Sequence, residues 1–453
     1  MAEKEVIQVL DTLLQQHRKL ILDTGEYIWQ NPETGYREVK SSAYLQERFI
    51  ELGYAPVLMD GIPGFYADLE TGRPGPILAV LGELDSVICA SHPDADPHTG
   101  AVHACGHNAQ CACLVGTAAL LRDPRVLATL SGTIRFVAVP AEELLEVQYR
   151  MSLREKGIIT YLGGKVEFLY RGVFDGVAAA VMIHLSGNKE KLLSINNRGQ
   201  NGCLLKYLCY TGKAAHAGGG PYNGVNALYA ATLGLNAINA IRETFREENL
   251  TRVHPILTAG GEAVNVIPDT IKLEAMVRGS SLEAMIGENK KITRALSGAA
   301  LSMGASLRVQ DIPGYMPLKV CKELIALSHQ VGTELFGEEK LQFFDRWEPS
   351  SSDIGDLSNV MPAIELSFGG AEGSGHGNDY RIASPDWAYM ESTRFIAALS
   401  CRLLASGGEE LMNIKKNHTP VYGSYQAYFE AVDSLFSDRE LLSYDGDSAK
   451  VSW

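Results

Sequence analysis

No run in this 453-residue chain approaches the ~20 consecutive apolar residues that would span a bilayer. Basic residues are in deficit: 40 Lys and Arg against 54 Asp and Glu leave a net charge of −14. Nucleic acid and anionic membranes are therefore poor candidates for the main partner, since both demand a concentrated basic surface. The acid excess reads simply as solubility. Cysteines are few and irregular, eight in all, at 89, 105, 111, 113, 203, 209, 321 and 401. Neither a disulfide framework nor a finger-type zinc spacing emerges from them, so they read as reduced thiols. The start, Met1-Ala-Glu-Lys-Glu, lacks the basic segment and apolar run of a secretory signal. The expectation is a cytoplasmic protein. Internal repeats and low-complexity tracts are missing too, and 46% apolar with 21% charged residues excludes disorder.

What is present is a chain long enough for two or three domains with a core that needs no staples. The first fifty residues carry apolar positions at helical spacing, Val6, Leu10, Leu13 and Leu14, then Leu20 and Ile21. Asn31-Pro-Glu-Thr-Gly35 interrupts them before a second amphipathic run through Leu45, Phe49 and Leu52. Short continuous apolar runs follow at 76–81, 133–139, 177–183 and 363–368, the pattern of strands buried on both faces. A helical stretch over 112–121 separates the first two. This alternation predicts an α/β catalytic domain with a mostly parallel sheet and helices on both faces. Between about Lys191 and Ile312 the strands alternate apolar and polar residues instead, and long helices are expected over 225–242 and 282–303. That change predicts a smaller α+β insert. The expected division is 1–192 and 313–453 for the catalytic layer, the latter with a C-terminal extension, and 193–312 for the insert. The residues after about Met412 read as an added helix and a loose tail.

The ends of the buried strands carry the chemistry. They lead into Glu83-Leu-Asp85, Glu142-Glu143, His184 and the glycine-rich segment ending at His376. Open α/β sheets collect ligands at the carboxyl ends of their strands. His103-Ala-Cys105-Gly-His107 lies between the first two strands, just before an apolar helix. A thiol at a helix N-terminus is expected to have a lowered pKa, and a thiolate and an imidazole two residues apart suit a divalent ion. Cys-Gly-His alone is a weak signal; joined to Glu143, His184 and His376 it is a strong one. Neighbouring carboxylates in extended backbone point to opposite sides. One of Glu142 and Glu143 is therefore a ligand and the other a base beside a metal-bound water, and spacing leaves open which is which. In the insert, His216 stands in a glycine-rich turn, while Asn265 and Arg278 suit a substrate carboxylate.

These residues resemble the amidohydrolase branch of the aminoacylase and carboxypeptidase group of two-metal metallopeptidases. The branch includes N-acyl-amino-acid, auxin-conjugate and p-aminobenzoyl-glutamate hydrolases. The resemblance runs from Trp29-Gln-Asn-Pro-Glu-Thr-Gly-Tyr to about Leu404, and His-Ala-Cys-Gly-His, Ala-Glu-Glu, Ala-His-Ala-Gly and Asn-Val-Ile-Pro-Asp carry it. It implies that Cys105, His107, Glu143, His184 and His376 hold two divalent ions, with Glu142 as the general base. The mixed ligands permit zinc or manganese first, and cobalt or nickel. It implies that His216 reaches a neighbouring subunit's site to steady the oxyanion, with Asn265 and Arg278 in a lid and dimerisation domain. A homodimer through that lid, or a higher oligomer, is expected. Asn108 and Ser352-Asp-Ile-Gly-Asp356 suit the p-aminobenzoyl-glutamate subgroup, whereas many members have Asp and His at the positions of Asn108 and Gln110. The expected reaction is hydrolysis of the amide bond of an N-acyl amino acid, an aminobenzoyl-amino acid or a small dipeptide. Its rivals are a catalytically silent, metal-stabilised scaffold of the same fold and a thiol hydrolase using Cys105.

Overall fold

The computed structural model describes residues 3–446 and 448–452. The chain divides into two compact units, each built around its own sheet.

The larger unit takes the described residues up to Gly199, together with Lys319–Arg346 and Asp356–Val421. Its eight-stranded sheet runs Val57–Leu58, Phe65–Glu70, Thr133–Val139, Ile77–Glu83, Val177–Leu185, Ala363–Phe368, Leu193–Asn196, Leu341–Phe344. The four strands at its centre are mutually parallel. They are the runs expected from their continuous apolar sequence, and the expected α/β class with a mostly parallel sheet is what forms. Val177–Leu185 shows why: all but one of its residues are buried, as a strand covered on both faces requires.

Next to these strands lies the helix His107–Leu121, every one of its 15 residues buried. It packs against Arg18–Gln30, Ser392–Leu404 and the strand Ile77–Glu83. A helix enclosed on all sides needs no polar face, and Ala, Leu, Val and Cys supply none. It begins five residues earlier than its apolar run suggests, and this brings His107 into its first turn. Gly106 makes the turn possible. It adopts a left-handed φ of 87°, and a Cβ there would stand 2.6 Å from the Tyr380 hydroxyl.

The smaller unit takes Gln200–Leu318, Trp347–Gly355 and the described residues from Tyr422 onward. Its six antiparallel strands run Arg252–Ala259, Thr270–Gly279, Gly202–Thr211, Ser306–Pro313, Ser437–Asp445, Ser448–Val451. The helices Ala227–Ile241 and Leu282–Met303 pack on this sheet and on each other. Side chains of Asn226 and Ser281 cap their first turns.

These units differ from the division expected at 193 and 312. Leu193–Asn196 belongs to the larger sheet, where it pairs in parallel with Leu341–Phe344. The loose tail is a correction too. Strand Ser437–Asp445 hydrogen-bonds along Ser306–Pro313, buries Leu441 and Leu442, and brings Asp438 onto Arg308 at 2.7 and 2.8 Å. A sheet edge with open amides and carbonyls recruits any strand that can reach it, and polar alternation in the tail concealed that strand.

Candidate active site

Four strand ends of the larger sheet bring the chemistry together. Ile77–Glu83 ends on Glu83 and runs on to Asp85; Thr133–Val139 leads into Ala141-Glu142-Glu143; Val177–Leu185 carries His184; Ala363–Phe368 leads into the loop of His376. Cys105 and His107 approach from the start of the buried helix.

Two groups of three donor atoms result, each with its atoms within 4.8 Å of one another: Cys105, His107 and His184, and Cys105, Glu143 and His376. Cys105 belongs to both. Its Sγ lies 3.4 Å from His184 Nε2, and His376 Nε2 lies 3.1 Å from Glu143 Oε1. All five ligand candidates named from the sequence thus converge. A third group joins Glu83, His107 and Glu142, all buried. The adjacent glutamates face different partners, as alternating side chains should.

The imidazoles are oriented by their second nitrogens. His107 Nδ1 lies 2.9 Å from the Asp85 carbonyl oxygen and 3.2 Å from its Oδ1, so it donates there and leaves Nε2 for a cation or a proton. His184 Nδ1 donates to the Leu185 carbonyl at 2.9 Å, which turns Nε2 toward Cys105. His376 holds a left-handed φ of 62°, and its amide donates to the Ala104 carbonyl at 2.8 Å. This ties its loop to the Cys105 loop. A residue with a β-carbon keeps such a conformation only where its surroundings over-determine it.

The charges fit a bound cation. Burial opposes a charged His107, but Glu83 and Cys105 outweigh it and hold its pKa well above the ordinary imidazole value. Burial also opposes the Glu143 carboxylate, yet the hydrogen bond and charge of His376, with the charge of His107, bring its pKa down to about 2. The cluster therefore draws positive charge inward. Two of its atoms, His107 Nε2 and Glu143 Oε1, are buried, and each faces an ionic partner at 3.1 Å, Glu83 and His376 respectively. Thiol, imidazole and carboxylate together suit divalent transition ions.

One expectation is reversed. The position of Cys105 before a helix suggested a lowered pKa, but burial, and then the Glu143 carboxylate, push its thiol well up. Desolvation outweighs the helix end. A divalent ion on the sulfur would invert that balance.

Sequence reasoning missed the residues behind the donors. Glu83 Oε2 lies 3.1 Å from His107 Nε2, accepts from Gln110 Nε2 at 2.7 Å, and its other oxygen pairs with the buried Lys165. Only the position of Glu83 at a strand end hinted at it; Lys165, in Gly163-Gly-Lys, carried no signal. Asn108 donates to Tyr389 Oη at 2.7 Å and to the Gly25 carbonyl.

His216 and Asn265 belong to the smaller unit, where neighbouring segments bring them together. His216 bridges Val266, and the Ala217 amide donates to the Asn265 carbonyl at 2.9 Å. His216 Nδ1 accepts from Gly218 and Gly219 amides at 3.1 and 2.9 Å, so its proton sits on Nε2 and points outward. Arg278 lies near the far end of Thr270–Gly279, roughly 25 Å along the strand from Thr270 by rise per residue.

With this geometry in hand, the chain belongs to the peptidase M20/M25/M40 family, whose model matches residues 79–401. It is accordingly a hydrolase of carbon–nitrogen amide bonds. It is 28% identical over 360 residues to one of the subunits of the p-aminobenzoyl-glutamate hydrolase of Escherichia coli strain K12, covering 75% of this chain and 68% of that protein. It is 27% identical over 393 residues to the mouse (Mus musculus) Xaa-Arg dipeptidase, covering 83% of each. Among solved structures, a dinuclear metal binding peptidase of the M20 family from Bacillus subtilis shares the fold, with a TM-score of 0.62 at 19% identity over 86% of this chain and 99% of that one.

Proposed function

We propose that this chain cleaves the amide bond of an N-acyl amino acid, an aminobenzoyl-amino acid or a small dipeptide, with two divalent ions held by Cys105, His107, Glu143, His184 and His376. The observation that carries this reading is the pair of three-donor groups sharing Cys105 Sγ, with Glu142 in the adjoining group of His107 and Glu83. The names of the aminobenzoyl-glutamate hydrolase and the dipeptidase support the substrate class. Zinc or manganese suits the mixed donors first, then cobalt or nickel.

When bound, such ions polarise a scissile carbonyl and acidify water. Glu142 takes the proton of the attacking water and returns it to the leaving amine. Its burial keeps that carboxylate out of bulk solvent. His216, with its proton on Nε2, donates to the oxyanion in a neighbouring subunit's site, and Asn265 and Arg278, which lie apart within one subunit, serve as separate substrate-binding groups. The dimer belongs to this reading as well. It is supported by exposed Tyr222, Tyr229, Ile256, Leu257 and Val264 in the smaller unit, whose strand Arg252–Ala259 has one unpaired edge among the described residues. A cytoplasmic setting is supported by eight cysteines that form no disulfide. Among the described residues no helix is long and apolar enough to cross a membrane.

The test is a panel of N-acetyl amino acids, p-aminobenzoyl-glutamate and dipeptides assayed with added manganese or zinc. Chelation is expected to abolish hydrolysis, and Glu142→Gln to keep both ions while losing about 10³-fold in turnover. No hydrolysis across the panel would favour a silent scaffold, and activity that survives chelation would favour a Cys105 thiol hydrolase.

A further inference from the structure

The segment Glu33-Thr-Gly-Tyr-Arg-Glu38 holds no ligand, yet it reaches both loops that carry the site's carboxylates. Glu38 is wholly buried, and its Oε1 accepts from the Ala141 amide at 2.7 Å. Glu33 accepts at its carbonyl from the Ser86 amide at 2.8 Å and the Ser86 hydroxyl at 3.0 Å, next to Asp85. The Glu33 carboxylate meanwhile caps the helix Val39–Glu51 through the Lys40 and Ser41 amides at 3.1 and 2.9 Å. Thr34 Oγ1 donates to Glu146 at the far end of the Glu142–Glu143 loop.

A buried guanidinium completes the frame. Arg150, 1% exposed, donates to the carbonyls of Ala141 at 3.1 Å, Leu162 at 2.8 Å and Glu143. The Glu143 amide donates to Asp85 Oδ2 at 2.8 Å. The amide and carbonyl of Ala141 and of Glu143 are thus each held by a buried ionisable side chain. Ala141 itself sits at a left-handed φ of 59°, and Glu146 at 49°. Such backbone persists only when its neighbours over-determine it. Gly35 makes room for the arrangement. A Cβ there would collide with the Arg150 guanidinium and stand 2.9 Å from Ala141 Cα.

We infer that Glu33–Glu38 is a positioning element of the hydrolytic site: Glu38 and Arg150 set the backbone of Ala141–Glu143, which aims Glu142 and Glu143, and Gly35 admits Arg150. This rests on the reading of those glutamates as base and ligand. Burial, and then the nearby Asp85 carboxylate, push the Glu38 pKa well up, against the smaller pull of Arg150. The neutral carboxyl is therefore favoured, and Gln copies it.

The experiment uses the full chain reconstituted with cobalt(II), with Gly35→Ala, Glu38→Ala, Glu38→Gln and Thr34→Val beside the wild type. It measures kcat and KM on the fastest member of the substrate panel, the visible spectrum of bound cobalt, and cooperative melting. Gly35→Ala and Glu38→Ala are expected to lower kcat by about 10- to 100-fold with KM little changed, because a displacement near 1 Å suffices for that. Their cobalt d–d bands should shift as Glu143 moves. Glu38→Gln, which can still accept from the Ala141 amide, should recover kcat to within about threefold and restore the spectrum. Folded Gly35→Ala and Glu38→Ala proteins with wild-type kcat and spectrum would overturn the inference. Should both fail to fold, Thr34→Val decides: a drop of about 3- to 10-fold in kcat at constant KM supports it, and wild-type behaviour overturns it. A wild type with neither hydrolysis nor a thiolate-to-cobalt band would instead sink the proposed function.

Discussion

Among the described residues each unit contains a buried lysine–carboxylate pair, and these two pairs do different work. In the larger unit Lys165 meets Glu83, with side chains 0% and 1% exposed. In the smaller unit Lys206 meets Asp311, with side chains 0% and 5% exposed. Locally they are the same device, a cation removed from water against one carboxylate oxygen. The difference lies in what shares the rest of the carboxylate. Glu83 faces His107 and Gln110, so its pair abuts the donor cluster. Asp311 faces Ser437 at 3.2 Å and Arg439 at 3.6 Å, so its pair joins the C-terminal strand to the sheet. Burial makes both pairs costly to break; only their neighbours make one of them chemical.

Removing the cation from each tests that contrast. Lys165→Met leaves Glu83 buried beside His107 without its main counter-charge, and about 3–5 kcal/mol of stability should go with it. Ion retention should fall as well, because a stranded carboxylate pulls on His107 Nε2. Melting and metal analysis after gel filtration report the two effects, and full metal content in a folded Lys165→Met protein would break the contrast. Lys206→Met is expected to cost a similar amount of stability, about 3–5 kcal/mol, while metal content and kcat stay at wild-type values. Loss of ions from that variant would erase the distinction between the units.

A smaller effect comes from pH. Glu38 has a raised pKa in the folded chain, so its contribution to stability is complete below its unfolded value and is lost as pH rises through the folded one. Glu38→Gln cannot ionise. Its melting temperature relative to wild type should therefore climb as pH rises above about 4 in chelated protein. A difference that stays constant with pH would mean that Glu38 does not titrate in this window. The smallest expected change is Asp438→Ala. It removes the bidentate partner of Arg308, but both side chains are more than a third exposed, so about 0.5 kcal/mol is expected. Denaturant melts resolve a loss of that size, and a loss several times larger would show that the C-terminal strand docks through this pair rather than through Leu441 and Leu442.

The donors were legible because each belongs to a residue type with few other uses at a strand end or at the start of an apolar helix. Cys105, His107, Glu143, His184 and His376 announced themselves in this way, and the continuous apolar runs predicted the strands that deliver them. Most residues that orient the donors were not legible. Asp85 stood out only as part of a strand end, and Glu38, Arg150 and Lys165 are ordinary charged residues in sequence, where nothing local marks a charge that will lose its water. The C-terminal strand escaped for the opposite reason. Strand Ser437–Asp445 buries only two of its nine residues, so its pattern resembles a solvated tail.

What the amino-acid sequence determined by itself was the set of elements and the chemistry they can offer. Hydrophobic periodicity is a local property, and thiol, imidazole and carboxylate are identifiable one residue at a time. Tertiary structure decided which of those groups share a position and in what state. It gave Cys105 to two donor groups at once, separated Glu142 from Glu143, and raised a thiol that its helix end alone would have acidified. Those outcomes depend on desolvation and on charges brought close by chain segments distant in sequence, and both exist only once the strands are packed.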